Sequence, residues 1–293
     1  MISDLFTANV ILGILASGIR LATPYLYAAI GETFGQRSGV LNLGVEGQML
    51  LGAFAGFYVT FKYNNPWLGL LAAIAIGALM GLVMGFITVT LHAEQGISGI
   101  GVYLFGLGMS DLLFQRTIGS VETVTGFQKI HIPWLSELPI LGEVFFQHNI
   151  LVYFAFLLVP VSWFVLNKTT LGLKIRAVGE NPEAADSLGV NVKGIRYFTC
   201  TLGGILSGVA GASLSIALLN VFQQNLTSGQ GFIAVALVYF GGWRPVGVML
   251  GSLLFSMVNS LQLWVQVLNL NIPSDIAVMM PYVLTILALV VAV

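Results

Sequence analysis

Charge is scarce in this sequence. Asp, Glu, Lys and Arg supply 8% of its 293 residues, against about 25% in an ordinary soluble domain. That is too little to coat a water-facing surface, so a soluble globular enzyme and a disordered chain are both excluded. The few charges balance, 11 basic against 12 acidic, and leave no electrostatic footprint for nucleic acid. The single cysteine, Cys200, excludes an internal disulfide and a cysteine-cluster metal site. No basic segment precedes the first apolar stretch, so no cleavable signal is expected. The patterns G-x-x-x-x-G-K-[ST], H-E-x-x-H and G-x-S-x-G are absent. The first absence removes the usual cradle for ATP phosphates, and the others remove two common hydrolytic centres. No cofactor or metal is expected, and any catalysis belongs to a partner chain.

Apolar residues are what the chain has instead, at 57%. A helical membrane span needs about 20 of them in succession. Charge-free runs of that size cover residues 68–91, 149–167, 245–274 and 276–293. Residues 197–243 are charge-free over a length that fits two passes. Shorter or charge-bearing candidates are 9–31, 41–61 and 97–114. The runs do not alternate as the strands of a membrane barrel would. The expected fold is an all-α polytopic membrane protein, one permease-sized domain over residues 1–293, with about nine to ten transmembrane helices. Hairpins or re-entrant segments have room within 227–263. Glycines four apart, at Gly77/Gly81/Gly85, Gly52/Gly56, Gly204/Gly208 and Gly247/Gly251, mark helix faces that pack closely in lipid.

Orientation follows from Lys and Arg in short loops. Five of the 11 basic residues lie between 168 and 196: Lys168, Lys174, Arg176, Lys193 and Arg196. That loop is expected in the cytoplasm and loop 115–148 outside. Alternation then places 32–40, 92–95 and Arg244 inside, and the N-terminus and 220–230 outside. Within the basic loop Asn181 suits a helix cap, Pro182 the first helical position and Glu183 the first turn. Gly189 is a stop signal. A short amphipathic helix over 182–188 results. It fits a solvated loop that merely satisfies the charge rule, and it also fits a docking helix that passes motion from a cytoplasmic partner to the membrane.

These residues carry a family resemblance. The stretch 171–211, LGLKIRAVGENPEAADSLGVNVKGIRYFTCTLGGILSGVAG, resembles the coupling region of bacterial ABC importer permeases for branched-chain amino acids, ribose-type sugars and nucleosides. Residues 31–56, GETFGQRSGVLNLGVEGQMLLGAFAG, and 229–251, GQGFIAVALVYFGGWRPVGVMLG, resemble the nucleoside branch. The resemblance implies a multi-pass permease subunit in the bacterial cytoplasmic (inner) membrane, surrounded by lipid. It implies a second permease subunit, two cytoplasmic ABC ATPase domains and an external substrate-binding lipoprotein as partners. It puts coupling to the ATPase on Glu180, Asn181, Pro182, Glu183, Ala184, Ala185, Asp186, Ser187 and Leu188. Nucleosides are the expected substrate. A sugar or branched-chain amino acid permease, or an ion-coupled secondary transporter, stays open beside it.

Ionisable groups inside a span cost about 2.5–3.5 kcal/mol each, so Glu46 stands out. Its carboxylate is expected to sit at a helix end near the cytoplasm, to be satisfied by Arg20 or Arg37 and by backbone groups, or to face a substrate route. Nucleosides offer ribose hydroxyls and base edges, to which Asn and Gln can donate and accept. The candidate pathway residues are therefore Asn42, Glu46, Gln48, Gln223, Gln224 and Asn225. Asn220 and Gln230 could add to them, and Phe222 or Phe232 could stack on a base. Residues 42–47 and 225–231 read alike, each before an apolar run. They are candidate copies of an inverted repeat whose halves would face each other across the pathway.

Overall fold

The computed structural model describes residues 8–131, 133, 136, 141–268, 279 and 283. It is built from helices α1 (Ala8–Arg37), α2 (Val45–Tyr63), α3 (Pro66–Gly85), α4 (Gln95–Thr117), α5 (Leu141–Phe145) and α6 (Ile150–Lys168). Then come α7 (Thr170–Glu180), α8 (Pro182–Ser187), α9 (Val192–Ser213), α10 (Gln230–Phe240) and α11 (Pro245–Val267). One π turn extends α3 over Phe86–Thr90, and another extends α9 over Leu214–Leu218. Among the described residues there is no strand, only two isolated bridges.

Among the described residues six helices are long and apolar enough to cross a membrane: Val10–Arg37, Pro66–Thr90, Gln95–Thr117, Ile150–Lys168, Val192–Leu218 and Pro245–Val267. Of the run 276–293, expected to span, only residues 279 and 283 are described. The run 197–243 does not make two passes. It makes the far part of one span, a return loop, and the 11-residue α10. At 1.5 Å per residue α10 is about 16 Å long, half of a hydrocarbon core of about 30 Å. Gly241 ends it, and the Arg244–Pro245 step starts α11. The apolar count alone could not separate this half-helix from a full pass.

Glycine decides the packing of the centre. A Cβ on Gly52 would lie 2.5 Å from the Gly208 Cα, and one on Gly81 would lie 2.9 Å from the Thr201 Cα. Gly77 and Gly204 face each other in the same way. The ridges of α2 and α3 therefore meet α9 of their own chain. Helix α2, with most of its residues buried, sits in the middle of this group.

Loops gather at two ends. At one end the Arg37 Nε donates to the Trp243 carbonyl at 3.1 Å, the Arg196 Nε donates to the Ser38 carbonyl at 3.3 Å, and Gly179 lies against the Arg37 backbone. At the other, Thr123 bridges Val221, Lys129 bridges Asn149, and the Trp67 and Phe127 rings meet edge-on at 5.0 Å. Caps set helix starts at both ends, with Glu94 at the Arg37 end, where Gln95 bonds the Leu41 amide and the Gly39 carbonyl, and Asn149 at the other. Glu94 caps α4, accepting from the Ile97 and Gly96 amides, which hold its carboxyl below the usual carboxylate range. His148 is buried beside α6 and touches the Val144 carbonyl at 2.7 Å through Nε2.

Candidate functional site

Helices α2 and α10 start beside each other and run in opposite directions, α2 toward Asn64 and α10 toward Trp243. The first turn of any helix leaves amide N–H groups without partners. At α10 the cap residue is Gly229, in the left-handed region at φ 87°, and its own segment supplies no side-chain cap. Glu46, from the first turn of α2, supplies it. One carboxylate oxygen accepts from the Thr227 hydroxyl at 2.5 Å and the Gly229 amide at 2.7 Å, and the other from the Gly231 amide at 2.5 Å. A carboxylate at a helix N-terminus also gains from the aligned peptide dipoles. Neither Arg20 nor Arg37 holds Glu46, so the expectation of an arginine partner is corrected. Backbone amides and a hydroxyl satisfy it. The approach requires glycine, because a Cβ on Gly231 would lie 2.5 Å from the Glu46 N and Cα.

The other polar groups of the segment continue inward. The Asn42 Oδ1 accepts from the Gly44 amide at 2.9 Å, and its Nδ2 donates to the Gln48 Oε1 at 3.2 Å. The Asn42 amide donates to the Glu32 Oε1 at 2.9 Å, which also accepts from the Gln36 Nε2 at 3.0 Å. The Gln36 Oε1 accepts from the Trp243 Nε1 at 2.7 Å. Asn42, Glu46 and Gln48 are 5%, 1% and 0% exposed. They form a buried polar thread that joins α1, α2 and the return loop. Gln48 keeps one buried, unpartnered amide nitrogen.

Gln223, Gln224 and Asn225 are placed differently. They lie on the return loop 219–229 and are exposed. The sequence-derived pathway set is thus divided. The structure joins Glu46 to residues 227–231 and Asn42 to Gln48 and Glu32, and turns 223–225 away from the chain's interior. Phe222, just before them, is fully buried, its ring 5.2–6.1 Å from the Phe54, Phe57 and Phe114 rings. It pins the loop to the core and presents no face to a base. Phe232 is partly exposed, edge-on to Tyr103 at 5.1 Å. Asn42 is buried and Asn225 is exposed, yet the two look-alike segments do meet, through Glu46.

Sequence reasoning missed Thr227, Gly229 and Gly231 as the partners of Glu46. The signal was present as a hydroxyl and two glycines, T-S-G-Q-G, ahead of an apolar run. It also missed Glu32, whose signal was a carboxylate four residues before Gln36 in an apolar helix.

At the Arg37 end, α8 forms over Pro182–Ser187, one residue shorter than the 182–188 expected. The Asn181 Oδ1 accepts from the Ala184 amide at 3.0 Å, and Pro182 and Glu183 open the helix. Gly189 follows at φ 80°. Ala185 alone turns inward and is buried. Glu180, Asn181, Glu183, Ala184, Asp186 and Ser187 are exposed, and Leu188 is 84% exposed. Helix α9 starts four residues beyond Leu188, at Val192, and its far end leads into the return loop.

A family model described as branched-chain amino acid transport system / permease component matches residues 14–289. The putative glucose ABC transporter permease protein of Haloferax volcanii is 43% identical over 88% of this chain and 79% of its own. The guanosine ABC transporter permease protein NupQ of Bacillus subtilis is 38% identical over 92% of this chain and 88% of its own. The nucleoside ABC transporter permease protein NupC of Lactococcus lactis is 37% identical over 94% and 90%. No solved structure matches the chain.

Proposed function

Since the chain belongs to the family of branched-chain amino acid transport system permease components, we propose that it is the membrane-spanning permease of an ATP-driven importer for nucleosides. One observation carries the mechanism: a half-length helix, capped in mid-bundle by Glu46, holds a return loop whose Gln223, Gln224 and Asn225 face outward. Polar side chains pointing into lipid are costly. A second permease subunit facing this loop would enclose a polar passage between the two. Amide side chains there would pair transiently with ribose hydroxyls and base edges. Asn42, Glu46 and Gln48 act one layer behind, by fixing where the loop sits.

The basic end of the molecule is the cytoplasmic one in this reading, following the positive-inside rule. Two ABC ATPase domains dock on residues 180–188, and the exposed Leu188 gives them an apolar foothold. Motion of α8 enters α9 directly. The glycine contacts of α9 with α2 and α3 make it a stiff element, and its far end moves the return loop. An external lipoprotein delivers the substrate at the opposite end. Hydrolysis belongs to the partner domains.

The test is uptake by the complex reconstituted in vesicles, with ATP on the α8 side and ion gradients collapsed. ATP-dependent accumulation of guanosine is expected. The 43%-identical relative named for glucose makes glucose the necessary comparison. Accumulation of glucose but not guanosine would transfer the proposal to sugars. Uptake driven by a proton or sodium gradient without ATP would overturn it.

A further inference from the structure

A cavity of about 660 Å³ opens at the Arg37 end, away from the return loop. Its floor holds three guanidinium groups from three different elements: Arg37 at the end of α1, Arg176 on α7 and Arg244 just before α11. The Arg37 charge lies within electrostatic reach of both Arg176 and Arg244, with Glu180 as the nearby opposing charge. The Arg176 Nε is buried and has no hydrogen-bond partner. Lys168 adds a fourth cation beside the rim, its ammonium 5.9 Å from the centre of the Trp163 ring. Gathering like charges in a partly enclosed space is unfavourable unless an anion completes it.

The walls say which anion. Trp163, Leu166 and Asn167 of α6 line one side, and Pro245 and Val246 of α11 line the other. From this rim, large apolar side chains continue along the outer surfaces of the same two helices, with Phe164 on α6 and Val246 and Leu250 on α11 all exposed. A charged head compartment thus runs into an apolar seam of the kind an acyl chain occupies. Tryptophan at the mouth suits the level of lipid headgroups. Basic pockets between helices at a membrane surface favour phosphate-bearing lipid heads.

We propose that the Arg37–Arg176–Arg244 cavity binds the phosphate of an anionic phospholipid from the adjoining leaflet, with the acyl chains along the α6–α11 seam. The bound head would tie α7, which carries the coupling helix, to the α10–α11 junction and to the end of α1. The inference rests on the membrane placement of the chain and not on its substrate, so its failure leaves the nucleoside reading standing.

The test is native mass spectrometry of the permease complex released from bilayers of equal phosphatidylglycerol and phosphatidylcholine. Wild type is expected to retain phosphatidylglycerol preferentially. R176Q should lower that preference about five-fold, the weight of one basic side chain near an anionic surface, and R176Q/R244Q further. R116Q, at the opposite end, should leave it unchanged. Equal retention of the two lipids by wild type, or undiminished preference in the double variant, overturns the proposal. Displacement of the lipid by millimolar inorganic phosphate would reassign the site to a soluble anion. Loss of the ATPase subunits from R176Q/R244Q with its lipids intact would reassign it to a carboxylate of that partner. A variant-free arm guards against misfolding: brominated phosphatidylglycerol should quench the tryptophan fluorescence of wild type more than brominated phosphatidylcholine, and equal quenching overturns the proposal.

Discussion

The Glu46 junction and the α8 helix are both helix N-termini closed by polar side chains, and they are built in opposite ways. At α8 the cap is local: Asn181 accepts from an amide three residues on, and water surrounds the rest. At α10 the cap comes from another helix, with the Glu46 and Thr227 partners 181 residues apart. Three donors there, the Thr227 hydroxyl and the Gly229 and Gly231 amides, depend on that one carboxylate. The local device can be lost with little harm to the fold, whereas loss of the remote one strands buried polar groups. Stability and coupling should therefore separate cleanly between the two regions.

The sharpest way to break the contrast is E46A. It orphans three donors, each worth about 1–3 kcal/mol when buried and unsatisfied. Transport should disappear, and the yield of monodisperse protein on detergent size exclusion should fall steeply. E46Q retains one acceptor and should be intermediate. Next comes Gly81→Leu, which drives a side chain into the Cys200–Gly204 backbone of α9. Overpacking of this kind costs about 1–3 kcal/mol or more, and the thermal midpoint should drop with assembly. On the other side of the comparison, Ala184→Pro or L188D should leave that midpoint near wild type. Substrate-stimulated ATP hydrolysis and uptake should nevertheless come apart, with uptake down at least about ten-fold, a 1.4 kcal/mol effect. A matching loss of folded protein in these variants would erase the distinction. Q224A should be milder still, with unchanged stability and a KM for nucleoside uptake raised several-fold.

The smallest effect concerns pH. Burial pushes His148 below its ordinary pKa of 6.5, with Arg20 and Lys129 adding to the shift and the Val144 carbonyl opposing it. A depressed folded-state value means that the unfolded chain binds the proton more readily. Stability from the neutral ring is complete above pH 6.5 and declines as pH falls below it. Thermal melts between neutral pH and pH 5 should show this decline, and His148→Asn should flatten it.

Much of the fold was legible, for reasons that differ by element. Apolar run length marks α3, α6 and α11, because a span must bury about 20 residues in lipid. The start of α8 was readable because cap, proline and acidic residue lie within three positions. The glycine ridges were readable as close-packing faces, and the structure adds that α9 is what they meet. Residues 197–243 misled, since a half-helix and a full pass are equally apolar. The start of α10 is held by Glu46, a residue far away in the chain. Phe222 shows a related limit: an aromatic beside glutamines fits a binding face and plain packing alike, and Phe54, Phe57 and Phe114 enclose it. Such facts belong to tertiary pairing, which composition and periodicity do not encode.

The return loop separates what is locked from what is free. Thr227, Gly229, Gly231 and Phe222 are committed to internal bonds or packing, and Asn225 holds a left-handed turn at φ 52° whose carbonyl accepts from the Ser228 amide and hydroxyl, while the exposed side chains of Gln223 and Gln224 carry no such duty. Under the proposed function, a change of cargo can be written into those two side chains without reopening the architecture behind them.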